Sequence, residues 1–183
     1  MKAHTQKYIA LLRGINVGGN NKIPMAELRS LCAQNGLENT ESYIQSGNLV
    51  FDSALTSPEV ENLLENTINQ HFGLSIPVIV RTATQFRSIV AGNPFPVASD
   101  KEPNLVMLGL SKATPLVATP KELLNYAKLN ERVKLVDEHL WIHFPEGSGR
   151  SKITPAVLDR VMGSVVTCRN WRTVQKLKVM VDQ

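Results

Sequence analysis

The sequence predicts an α+β fold: two tandem ferredoxin-like halves, each β-α-β-β-α-β, plus a C-terminal helix. Three observations predict it. Short apolar strand candidates and helical stretches follow the same order on both sides of a Pro-rich segment. Glycines fall where helices and hairpins should end. The 183 residues, 43% hydrophobic and 20% charged, are enough for two small cores. Residues 1–83 form the first half, 84–103 a connecting helix and Pro-rich linker, and 104–183 the second half with its C-terminal helix.

In the first half, Tyr8–Arg13 is a short apolar strand. Met25–Asn35 carries Leu28, Leu31 and Cys32 at helical spacing, with Gly36 in the place of a C-terminal glycine cap. The segment ESYIQSGNLVF alternates and turns at Ser46-Gly47-Asn48, a hairpin pattern. Pro58 opens a helix whose stripe is Val60, Leu63, Leu64, Ile68 and Phe72, and Gly73 ends it. Pro77–Thr82 closes the half as a strand. A short helix over Thr84–Val90 and the link GNPFPVASDKEP follow.

The order then recurs. NLVMLGL is a strand, Pro120–Ala127 a helix, and RVKLV with LWIHF a hairpin around Asp137-Glu138-His139. Thr154 with Pro155 starts a helix containing Val157, Leu158, Val161 and Met162. SVVTC is the last strand, and Trp171–Val181 the extra helix. The halves share this architecture without residue-level identity. In a βαββαβ plan of antiparallel order 4-1-3-2, loop Gly14–Asn20 and turn Ser46–Asn48 share one edge of the first half. Loop PEGSGRSK and segment RNWRT share an edge of the second.

The net charge of +4 is uneven: residues 1–83 carry −1 and 84–183 carry +5. Seven basic residues and a single acid, Asp159, lie within 150–178, a concentration that attracts anions or forms a solvated face. No apolar run approaches the roughly 18 residues of a membrane span. The N-terminus shows no secretory signal, and Cys32 and Cys168 are far apart without a CxxC, so a cytoplasmic protein is expected.

Segment RGINVGGNNK spells neither a P-loop nor GxGxxG. Gly14, Gly18 and Gly19 still permit backbone N–H groups to converge on an anion, flanked by Arg13 and Lys22, with Asn16 as a donor. The same residues equally suit a tight strand-to-helix connection. Ser46, Gly47 and Asn48 are the expected neighbours of that loop. In the second half, Ser151 and Lys152 precede a helix, where anions are favoured. Arg169 offers a planar fork for phosphate or carboxylate, Asn170 a cap or a ligand contact, and Trp171 a stacking face or a core side chain. The four histidines share no metal-ligand spacing, no catalytic triad or acid pair stands out, no metal is expected from spacing, and a cofactor is not readable.

The motifs LLRGINVGG…IPMAELR, YIQSGNLVF, GRSK and TCRNWRTVQKL resemble those of the bacterial domain-of-unknown-function family 1697, over nearly the whole chain. That resemblance implies a small cytoplasmic α+β protein without an established activity, cofactor or partner. Its recurring segments map onto Arg13 to Gly19, Ser46 to Asn48, Ser151, Lys152 and Arg169 to Trp171. Cys168 stands where the family pattern has a second threonine.

The leading expectation is a site for a phosphorylated or other anionic small molecule, built from these loops between the halves. It leaves open whether the protein is an enzyme. The alternatives are nucleic-acid binding through the basic C-terminal segment, despite only 5% aromatic residues, and a protein-interaction module without a small ligand. Oligomeric state is not readable.

Overall fold

The computed structural model describes residues 5–183; His4, one of the four histidines considered above, lies outside them. Among the described residues, two four-stranded antiparallel sheets and seven α-helices make a mixed α/β fold. The chain divides into two compact units. The first comprises the segment ending at Arg87 together with Leu177–Gln183, and the second is Ser88–Lys176.

In the first unit the order is β1 (Gln6–Leu12), α1 (Met25–Gln34), β2 (Glu38–Tyr43), β3 (Asn48–Ser53), α2 (Ser57–Phe72) and β4 (Val78–Thr82). The sheet runs β2-β3-β1-β4. Alternation along the strands sends Tyr8, Ala10, Leu12, Leu49, Phe51, Val78 and Val80 to a core closed by Leu28, Cys32, Val60, Leu64 and Ile68 of α1 and α2. Ile9, Leu11, Val50 and Ile79 point to the other face and are buried as well. Helix α2 begins with a capping box between Thr56 and Glu59 and ends at Gly73, whose φ of 67° completes a left-handed cap.

The chain continues through α3 (Ala83–Ala91), α4 (Pro96–Lys101), β5 (Val106–Ser111), α5 (Thr119–Leu124), β6 (Arg132–Val136), β7 (His139–His143), α6 (Pro155–Met162), β8 (Val166–Asn170) and α7 (Trp171–Asp182). The second sheet runs β6-β7-β5-β8. Its helix-facing core gathers Leu123, Val133, Leu140, Ile142, Leu158, Val161, Met162 and Val166.

Two segments differ from the sequence reading. The Pro-rich link contains α4: Pro96 sits at its start with φ already suited to a helix, and Asn93 accepts from Phe95 N (2.9 Å) and donates to Ser99 Oγ (2.7 Å). Helix α5 stops at Leu124 rather than Ala127. Asn125, Tyr126 and Ala127 instead donate to carbonyls three residues back, so the helical pattern runs on as tighter turns.

Strand pairing shows how alike the two sheets are. Tyr8 faces Phe51 and Thr82, and Met107 faces Ile142 and Asn170. Ala10 faces Leu49 and Val80, and Gly109 faces Leu140 and Cys168. One register therefore relates β1, β3 and β4 to β5, β7 and β8, whereas β2 shifts register against β3 between Glu38 and Glu41 and β6 runs against β7 without a shift.

Candidate functional site

Within the first unit, loop 14–21 and turn 44–47 meet, because one side chain ties them. The Asn16 amide donates to Ile23 O (2.9 Å) and Gln45 O (2.8 Å), while its oxygen accepts from Ile23 N (2.9 Å). Asn16 takes φ 54°, a left-handed conformation that asparagine tolerates. Asn21 Nδ2 holds Gly14 O at 3.0 Å, and Val17 O accepts from Asn20 N at 3.1 Å, which tightens the tip. On the turn side, Leu12 N donates to Gly47 O at 2.8 Å. Gly47 has φ 81°, and a Cβ there would lie 2.7 Å from Leu12 Cβ and 2.9 Å from Ile15 Cδ1. Only glycine fits. Asn48, fully buried, donates to Tyr43 O and Ser46 Oγ. The side chains of Asn16 and Asn48 thus serve the scaffold, whereas Gly14, Gly18 and Gly19 are exposed and Arg13 is half-buried at the loop base.

In the second unit the predicted residues separate into two groups. Ser151 is buried and donates to Glu131 Oε1, while its oxygen accepts from Ile153 N; the adjacent Lys152 is exposed. Glu131 Oε2 also accepts from Lys128 N (3.0 Å) and Leu129 N (2.6 Å). Burial by itself would raise the Glu131 carboxyl, but these hydrogen bonds from Ser151 and the backbone outweigh it and hold the group below the usual glutamate range.

Arg169, Asn170 and Trp171 form the other group, at the junction of β8 and α7. Val166 and Cys168 face the helices, so alternation places Thr167 and Arg169 on the opposite face. Arg169 is 9% exposed, and its Nη1 donates to Thr167 Oγ1 and Cys168 O, both at 2.9 Å. Burial lowers its pKa to about 10, with the Cys168 thiol a smaller opposing influence. Asn170 Oδ1 accepts from Thr173 N at 2.9 Å and so caps α7. Trp171 is a core residue packed 5.8 Å, centroid to centroid, from the fully buried Trp141.

Arg169 has a counterpart in the first unit that sequence comparison of the halves missed. Ile9 pairs with Arg81 as Leu108 pairs with Arg169, and Arg81 Nη1 donates to Val80 O (2.8 Å) just as Arg169 Nη1 does to Cys168 O. A helix carboxylate also staples each edge strand: Glu65 accepts from Val78 N (2.8 Å) and Asp159 from Val166 N (3.0 Å). One turn earlier in each helix the units diverge. Glu61 accepts from Val80 N and its charge favours the Arg81 cation, partly offsetting the lowering caused by burial. The corresponding position of α6 is Pro155.

A concavity of about 440 Å³ in the second unit was also missed. It is lined by residues 94–98, Leu124 and Glu131–Lys134. The guanidinium of Arg132 and the ammonium of Lys134 lie 5.1 and 5.5 Å from the centroid of the Phe95 ring. Arg132 Nη2 is 2.9 Å from His143 Nδ1, and His143 Nε2 is 3.1 Å from Glu102 Oε2. The i, i+2 spacing of the two cations in RVKLV was the available signal.

Among the described residues, no group of three or more His, Cys, Asp or Glu side chains is placed to hold a metal. Burial pushes the Cys32 thiol up to about 12, leaving it unreactive at neutral pH. No helix among the described residues is long and apolar enough to cross a membrane.

Comparison with known proteins bears on the whole chain. The model of a family described as "Protein of unknown function (DUF1697)" matches residues 5–141. The chain belongs to the DUF1697 family. The matched span holds the Arg13–Gly19 and Ser46–Asn48 segments, and Ser151, Lys152 and Arg169–Trp171 lie beyond it. This DUF1697 chain is also similar to a solved structure, the conserved bacterial protein SP0830 from Streptococcus pneumoniae. The two are 26% identical with a TM-score of 0.76, over 97% of this chain and 99% of that one. No curated protein matches.

Proposed function

We propose that this DUF1697 protein binds a small anionic molecule, phosphorylated or carboxylated, with Arg169 as the principal cation. The observation that carries the reading is the buried Arg169 guanidinium, held at Nη1 by two neutral oxygens and lowered to about 10 by burial. A desolvated cation is stabilised by an anion far more than an exposed one is. Asn170 and Trp171 are rigid neighbours, fixed by the cap and the core. Gly14, Gly18, Gly19 and Arg13 form a separate proposed contact of the first unit, where Asn16, Ser46, Gly47 and Asn48 keep the loop in shape. Lys152 is the exposed cation of its loop, and Ser151 its anchor. Each unit is read as a ferredoxin-like repeat, which its element and strand orders support. Two separated cysteines, without a disulfide, accord with a reducing cytoplasm.

A thermal-shift screen of pyrophosphate, nucleotides, sugar phosphates and short RNA tests this at two salt concentrations. A ligand at about 100 times its Kd adds about 2.7 kcal/mol, or about 5–10 °C for a chain of this size. The expected result is a salt-tolerant shift from a small anion that Arg169→Gln abolishes. A shift from RNA alone, vanishing with salt, would transfer the function to nucleic-acid binding by exposed Arg150, Lys152, Arg172 and Lys176. No shift from any probe would leave the interaction module.

A further inference from the structure

We infer that the concavity between β6 and the segment leading into α4 is a second site, which takes a small carboxylate with an apolar tail. Beyond the i, i+2 cations of RVKLV nothing in the sequence points there; the site is built by packing within the second unit. Its size, about 440 Å³, falls in the range of small-molecule pockets. Its walls have two characters. Val97 and Leu124 line it with their side chains partly in solvent, 66% and 44% exposed, while Phe95, Ala98 and Val133 are buried behind them. Arg132 and Lys134 supply the polar side, from alternate positions of one edge strand, and therefore on one face of it.

The two cations are held rather than loose. Both lie against the Phe95 ring, and Arg132 is oriented by the relay through His143 to Glu102. Two like charges sharing one ring repel each other, and an anion between them relieves that repulsion. The site's own carboxylate, Glu131, is turned inward: its two oxygens accept from Ser151, Lys128 and Leu129. Glu102 is engaged with His143. The incoming group is therefore an anion. The exposed apolar wall selects a tail of a few carbons, so a bare inorganic anion fills only part of the site.

This site is distinct from that of Arg169. Lys134 pairs with Trp141, Trp141 with Leu108, and Leu108 with Arg169, so the two cations lie at opposite edges of one sheet face. Three strand spacings separate them by about 14 Å.

The test is an amide NMR titration of the full chain with 4-methylpentanoate, acetate and 4-methylpentanamide as probes. The expected result is saturable shifts at Arg132–Lys134 and residues 94–98 with 4-methylpentanoate. The neutral amide and acetate should each bind at least about tenfold more weakly, as loss of one charge-assisted hydrogen bond or of the tail contacts requires. Lys134→Gln, at an exposed position that leaves the core intact, should weaken 4-methylpentanoate by about the same factor, and Arg169→Gln should not change it. Equal binding of the amide, equal binding of acetate, or no shift at residues 94–98 and 132–134 would each overturn the inference. Because Arg169→Gln is silent here and decisive for the anion site above, the two readings fail separately.

Discussion

The two units tie their loops with different chemistry. In the first, the neutral Asn16 amide joins loop 14–21 to turn 44–47; in the second, the Glu131 carboxylate joins the approach to β6 to Ser151. Their edge strands differ in the same direction. Arg81 on β4 has the charge of Glu61 nearby, whereas Pro155 occupies the corresponding place beside β8 and Arg169. Strand order and the register of the three strands nearest these arginines are held constant between the units, so the differences there isolate what each polar group does. The first unit spends its polar groups on fixing shape. Both units keep an edge-strand arginine where burial penalises it, and in the first the charge of Glu61 partly offsets that penalty.

The strongest way to break this contrast is at the turns. Gly47→Ala in the first unit introduces a Cβ into Leu12 and Ile15 at a positive φ, and should destabilise by about 2–4 kcal/mol. In the second unit the hairpin turn Asp137-Glu138 already holds non-glycine residues at φ 44° and 68°. Glu138→Gly there should be neutral or stabilising by up to about 1 kcal/mol. Urea unfolding of both variants checks this; equal effects would remove the claim that the first unit's turn is pinned by its neighbours.

The edge arginines provide the next test. Arg169→Met removes the donors to Thr167 Oγ1 and Cys168 O and should destabilise by about 1–3 kcal/mol. Arg81→Met leaves Glu61 without that cation and should destabilise by about 0.5–1 kcal/mol. A larger loss at Arg169 in matched melting experiments is expected, and equal losses would mean that the two arginines hold their edge strands equally.

The smallest effect concerns acid. Because the folded Glu131 carboxyl lies below its unfolded value, near 4.5, it contributes stability that is complete above that pH. The contribution is lost as pH falls through the folded pKa. Ser151→Ala removes one of the bonds that lowers the group, costs about 1 kcal/mol at neutral pH, and should move acid unfolding to higher pH. The Asn16 amide does not titrate, so Asn16→Ala should lower stability equally at pH 7 and pH 4. Circular dichroism across that range separates the two.

Much of the fold was legible, because glycine caps, Pro starts and alternation report local geometry directly: Thr154-Pro155 and Gly73 stand where helices begin and end. Helix α4 was obscured by two prolines that read as linker, although Pro96 is a helix start. The meeting of loop 14–21 with turn 44–47 followed from topology, but the use of Asn16 and Asn48 did not. An asparagine that binds a ligand and one that binds the backbone look alike in sequence. The equivalence of Arg81 and Arg169 needed strand register, which no spacing reveals between segments 88 residues apart. The Phe95–Arg132–Lys134 concavity joins segments brought together only by packing.

The division of the chain also sets a timetable for synthesis. The first unit starts the sequence yet includes Leu177–Gln183, and Arg87 reaches Asp182 Oδ1 (2.6 Å) and Val181 O (2.7 Å). At about 5–20 residues per second, a ribosome that has passed Arg87 needs roughly 5–18 s more to reach Leu177. During that interval the whole second unit is translated. The half that emerges first is therefore the last to be completed, and it waits with its final segment still unmade.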